Sequence, residues 1–126
     1  MKSFITTLII AVTLITGSFL YTGHHRTESE KLLDITLTIK TSVLNENYAR
    51  AKEELTNLTH KVSDFEDFFL TTGDHLEIDN IKINLAELKS FIYHRKKTDA
   101  LSKIYVLEFL FRHLPESSRL CIGNIL

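Results

Sequence analysis

Apolar and polar residues divide this chain into one uninterrupted apolar run followed by four helical stripes. The run, Phe4 to Tyr21, reads FITTLIIAVTLITGSFLY, eighteen residues without a charge. Wound as a helix it is about 27 Å long, against a hydrocarbon core of roughly 30 Å. Its threonines weaken it little, because each hydroxyl can bond back to a carbonyl one turn earlier. The α-amine and Lys2 flank one side, and His24, His25 and Arg26 the other. This is read as N-terminus inside and the bulk of the chain outside. The rival reading is a cleaved signal peptide, for which Thr16 and Ser18 supply the small residues. The run is longer than a signal's usual apolar core of about 7–15 residues, which favours a retained anchor. Either reading exports the rest of the chain.

Beyond residue 26 the spacing of apolar positions is helical throughout. Thr27-Glu28-Ser29-Glu30 has the form of a capping box and is followed by Leu32, Ile35, Ile39 and Val43 on one stripe. Asn45-Glu46-Asn47 breaks that stripe and offers a cap to the next helix. There Tyr48, Ala51, Leu55, Leu58, Val62, Phe65 and Phe69 recur in steps of three and four. Thr71-Thr72-Gly73 ends the run with a residue that tolerates the left-handed cap. Asp74-His75-Leu76-Glu77 opens a third stripe of Ile78, Ile81, Leu85, Leu88 and Ile92. The basic turn His94-Arg95-Lys96-Lys97 offsets the negative end of that helix.

Thr98-Asp99 starts a last helix, which Pro115 is expected to stop at Leu114. Its apolar residues, Ile104 to Phe111 among them, cover nearly the whole circumference, predicting a helix packed on several sides at the bundle centre. Glu108 and Arg112, four apart, are placed to pair. The expected fold is all-α: an N-terminal transmembrane helix followed by an antiparallel bundle of about four helices. The domains are 1–21, anchor or uncleaved signal; 22–26, an extended juxtamembrane linker; and 27–126, the extracytoplasmic helical domain.

Composition narrows the function classes. With 44% hydrophobic and 25% charged residues the domain is an ordinary globular one, able to build a core. The net charge of −1 offers no basic excess to phosphate backbones, so no nucleic-acid partner is expected. A single cysteine, Cys121, excludes an internal disulfide, a multi-thiolate zinc site and a CxxC redox motif.

Asp74, His75, Glu77 and Asp79 form the constellation closest to chemistry. His75 and Asp79, four apart, have a spacing that can present two metal ligands on one helix face. The structural reading outweighs it: Asp74 and Glu77 satisfy orphan amides at a helix start, and His75, three before Ile78, leans towards the packed stripe. No metal site and no cofactor are therefore expected. His24 and His25 read as solvated juxtamembrane residues, and His60, His94 and His113 fall on separate helices. No serine, cysteine or lysine stands beside a recognisable base, so the chain is not expected to be an enzyme. Phe68 and Phe91 lie off their helices' main stripes, where an extra aromatic edge either widens the core or forms a partner surface.

The segments Met1-Lys2-Ser3-Phe4-Ile5, His75-Leu76-Glu77-Ile78-Asp79-Asn80-Ile81 with Leu85, Leu88 and Ile92, Leu114-Pro115-Glu116 and Asn124-Ile125-Leu126 together resemble the bacterial membrane-protein family catalogued as domain of unknown function 4363. The resemblance covers nearly the whole chain. It implies a small single-span protein of endospore-forming Gram-positive bacteria with an outward-facing helical domain, and brings no catalytic residues. The family's tryptophans in the second soluble helix are replaced here by Phe65, Phe68 and Phe69. The expected function is a plasma-membrane-anchored interaction or scaffold module with a membrane-associated or self partner. The alternative is a small-ligand-binding or pH- or metal-sensing module.

Overall fold

The computed structural model describes the backbone of residues 2–69 and 75–123, with side chains in 3–20, 28–67 and 75–114. Its elements are α1 (Lys2–Leu44), α2 (Tyr48–Phe69), α3 (His75–Tyr93) and α4 (Lys97–Gly123). Among the described residues there is no strand. The all-α expectation holds, with one change of plan: the apolar segment and the first bundle helix are the same helix.

Residues 22–26 are helical rather than extended, and the capping-box pattern at Thr27 starts nothing. Extending an existing helix fixes one residue per new hydrogen bond, whereas starting one afresh requires a costly nucleus. A cap-forming residue therefore does not interrupt a helix that arrives already wound. The same holds at the other end, where α4 continues past Pro115 to Gly123. The ring removes one backbone bond without ending the helix.

The bundle is a ring of four in which α1 packs on α2 and α4, and α3 packs on the same two. The predicted stripes are its interior. Leu32, Ile39 and Val43 of α1 are buried, as are six α2 residues from Tyr48 to Phe65 and all five predicted in α3. Ile35 is half-buried against them. Ala100, Ile104, Leu107, Phe111 and Leu114 complete the core from α4. Thr36 and Ser42 are buried on α1, and each hydroxyl donates to its own helix, at Leu32 O (2.8 Å) and Thr38 O (2.9 Å).

α4 is not the centre of the bundle, contrary to its apolar circumference. Its outer side is bare: Tyr105 is 57% exposed, Val106 39% and Phe109 60%. A ring of four leaves every helix one outward side, and in α4 that side is apolar.

Two turns of the same form join helices at one end of the bundle. In the first, the amides of Asn47 and Glu46 donate to Ser42 O (2.8 Å) and Val43 O (3.0 Å). In the second, Lys96 and Arg95 donate to Phe91 O (2.8 Å) and Ile92 O (3.1 Å). This is the Schellman arrangement, which requires a left-handed residue. It is Glu46 (φ 57°) in one turn and Arg95 (φ 54°) in the other. Asn47 then caps α2, its Oδ1 accepting from the Arg50 amide at 3.3 Å. The Arg95 guanidinium lies 5.7 Å from the Tyr48 ring centroid, and Lys52 Nζ lies 4.5 Å from that of Tyr93, tying the two turns together.

From the opposite end, α1 projects as the apolar segment. Ser3–Leu20 has the length and composition of a membrane span, which a signal sequence also has, and none of it is buried. Thr7, Thr13 and Thr16 donate back to Ser3 O, Ile9 O and Val12 O at 2.8–2.9 Å, as their spacing predicts.

Candidate functional site

Two surfaces on opposite sides of the ring depart from an ordinary solvated exterior. The first is the seam between α1 and α4. Glu108, apolar on both sides in sequence, sits with its carboxylate only 9% exposed, and Lys40 of α1 reaches it, Nζ to Oε1 at 3.1 Å. The approach is angled away from regular hydrogen-bond geometry at Oε1. The predicted partner, Arg112, stands farther off at 4.0 Å on Oε2 and is mostly exposed.

The donor–acceptor approach to Glu108, reinforced by its charge, holds the Lys40 ammonium above the ordinary lysine range. Partial desolvation opposes this only in part. Lys40 also lies over the Tyr105 ring, 4.3 Å from its centroid. Beside the pair, Leu37 and Leu44 of α1 and Tyr105 and Phe109 of α4 are exposed, whereas Val106 lies about 160° round α4 from Glu108. His113 stacks on Phe109 with ring centroids 4.1 Å apart, extending that strip by one turn.

The second surface is a trough between α2 and α3, the least extensive of the four helix contacts. Its larger part, about 340 Å³, has Val62, Leu85 and Ala86 on the floor and Glu66 and Lys82 at one end. A smaller part of about 130 Å³ is lined by Lys52, Thr56, His60 and Tyr93. Thr59 and Lys89 line both, so the two parts adjoin. Lys82 Nζ contacts Glu66 Oε1 at 2.9 Å and Oε2 at 3.0 Å. The bonds and charge of Glu66, with a smaller contribution from Asp79, raise the Lys82 pKa.

The bundle is also electrically polarised along its length. At the end with the two turns Arg50, Lys52, Lys89, Arg95, Lys96, Lys97 and Lys103 stand against Glu46, Glu53, Glu54, Glu87 and Asp99, a modest basic excess. At the end from which the apolar segment emerges Glu28, Glu30, Asp34, Asp64, Glu66, Asp67, Glu77 and Asp79 outnumber Lys31, Lys61, Lys82 and Arg112.

The residues singled out from sequence are scattered by comparison. His75 and Asp79 are both exposed on the first turns of α3, and His75 does not lean into the stripe as expected. Asp74, and the side chains of His24, His25, Phe68 and Cys121, lie outside the described residues. Phe91 is half-buried and packs against the core, which it widens. His60, His94 and His113 are exposed on three different helices. Among the described residues no group of three or more His, Cys, Asp or Glu is placed to hold a metal ion. Neither the seam nor the trough was anticipated. The signal for the seam was there, since an apolar circumference with a lone mid-helix carboxylate marks a helix with more apolar surface than its neighbours cover.

The architecture is that of an all-α protein with an N-terminal apolar helix running into a four-helix bundle. Residues 22–125 match the model of the family described as Domain of unknown function (DUF4363), and the chain belongs to that family. The match spans the bundle and begins just after the apolar segment. No curated protein and no solved structure matches the chain.

Proposed function

We propose that this chain is an interaction module held in a bacterial plasma membrane by Ser3–Leu20, its bundle outside the cytoplasm, and that it docks another membrane protein through the α1–α4 seam. The observation that carries this reading is the seam itself. Four large apolar side chains, Leu37, Leu44, Tyr105 and Phe109, stand exposed beside a buried ion pair. Contiguous exposed apolar surface of this kind marks protein or membrane contacts. Aromatic residues such as Tyr105 and Phe109 are typical of the buried centre of interfaces.

The polarity of the bundle favours a different protein over a second copy. Copies anchored in one membrane stand parallel, so pairing them side by side sets acidic end against acidic end and basic against basic. A partner that is basic near the membrane and acidic farther out is complementary. For orientation, Lys2 abuts one side of the apolar segment, whereas Arg26 is soon followed by Glu28 and Glu30 on the other.

The test is a photo-cross-linking amino acid placed at Tyr105 or Phe109 in native membranes, with exposed Ala49 of α2 as the control position. An adduct of one discrete added mass from the seam and none from Ala49 is expected. An adduct at twice the chain mass makes the seam a self-interface, and equal labelling at all three positions removes the seam as a docking surface. Intact mass of the membrane-extracted chain, expected to include residues 1–21, tests the anchor. Cleavage of the bundle by protease added to intact protoplasts tests its orientation.

A further inference from the structure

The trough between α2 and α3 is graded along its length. At the end nearer the apolar segment, Lys82 is neutralised by Glu66 and the floor is Val62, Leu85 and Ala86. At the other end Lys52 and Lys89 share the Tyr93 ring, with Nζ atoms 4.5 and 5.8 Å from its centroid. Among the described residues neither ammonium has a carboxylate in ion-pair contact. Thr56 and Thr59 donate to the carbonyls of Lys52 (3.0 Å) and Leu55 (2.8 Å), so their hydroxyl protons are engaged and the lysines are the charged donors left for a ligand. Glu66 is the only acidic residue along the lining, and it is taken up by Lys82. The trough is therefore apolar and neutral at one end and cationic at the other.

From Lys52 to Glu66 the helix rise gives a length of about 21 Å. The larger part alone is within the roughly 300–1,000 Å³ typical of small-molecule sites.

We propose that this trough binds a single-chain anionic amphiphile, a long-chain carboxylate, with its headgroup between Lys52 and Lys89 and its chain along Val62, Leu85 and Ala86. The carboxylate takes two charge-assisted hydrogen bonds, and the chain covers exposed Ala86 and the narrow margins of Val62 and Leu85 that the core leaves at the surface. The tail points towards the end of the bundle from which the apolar segment emerges. The site is on the far side of the ring from the seam, so its occupancy is independent of docking at the seam.

The test uses the full chain in phosphatidylcholine nanodiscs with a diazirine-bearing palmitate and mapping of the adducts. Labelling is expected on α2 between Leu55 and Glu66 and on α3 between Lys82 and Lys89. Unlabelled palmitate should compete, and hexadecanol, which forfeits both charge-assisted contacts, should compete at least about tenfold less. Lys89→Glu should reduce groove labelling by a similar factor while Lys89→Arg retains it. Ala86→Trp, at an exposed position on the floor, should abolish it with the helical circular dichroism unchanged. Adducts confined to Ser3–Leu20, or equal competition by acid and alcohol, overturn the proposal. So does groove labelling that survives Ala86→Trp.

Discussion

Lys40 and Glu108 meet at 3.1 Å across the α1–α4 seam, and the carboxylate of the pair is almost wholly withdrawn from solvent. Removing one member of a buried pair strands the other's charge, whereas replacing both with apolar groups of similar volume is often neutral or stabilising. Lys40→Met alone should therefore lower the thermal midpoint by more than the Lys40→Met/Glu108→Leu double variant does. Thermal unfolding of the two variants and the parent decides it. Equal losses would mean that the pair contributes packing and no charge compensation.

The second ion pair gives a pH dependence with a definite sign. Glu66 raises the Lys82 pKa above its ordinary 10.5, so the folded state holds this proton more tightly than the unfolded chain does. The resulting stability is fully present below pH 10.5 and is lost as pH rises through the folded value. Urea unfolding should show a constant difference between the parent and Lys82→Met from about pH 7 to 9, narrowing in stronger alkali. A difference that widens with alkali would contradict the assigned direction.

Leu58 is completely buried at the middle of the α2 stripe, and its neighbour Thr59 faces out. Leu58→Ala should cost about 2–5 kcal/mol. Thr59→Ala should stay within about 0.5 kcal/mol. Chemical denaturation of the two variants checks this, and similar losses would place the wrong side of α2 in the core.

The left-handed residues at Glu46 and Arg95 make a fourth prediction. A side chain in that conformation costs roughly 1–2 kcal/mol that glycine does not pay. Glu46→Gly should raise stability by about 1 kcal/mol. Arg95→Gly should gain less, because it gives up the contact with Tyr48. A β-branched residue such as Val at position 46 should lower stability. The midpoint of thermal unfolding reads all three.

These sites show where the sequence was informative. The stripes of α2 and α3 were legible because each apolar position recurs with the helical period and the core takes that face. The Asn47 cap was legible because its side chain does the work locally. The turn at Glu46 was seen only as a break, since a left-handed residue there is set by the incoming and outgoing helices and not by its own preference. Of the two partners of Glu108 only Arg112, four residues on and 4.0 Å away, was legible; Lys40, at 3.1 Å, is a neighbour in space alone. The trough was not legible either, since it follows from how closely α2 and α3 approach, which no local pattern encodes.

Because α1 runs unbroken from the apolar segment into the bundle, the two are phased as well as joined. Leu37 of the seam and Phe19 of the apolar segment are separated by about five full helical turns, so they share one azimuth on the helix. A protein that settles on the seam thus meets the Phe19 side of the segment, with no joint between them to average the angle. Twisting the bundle about α1 turns the segment by the same amount, which makes the helix a shaft that carries angle as well as a tether that sets distance.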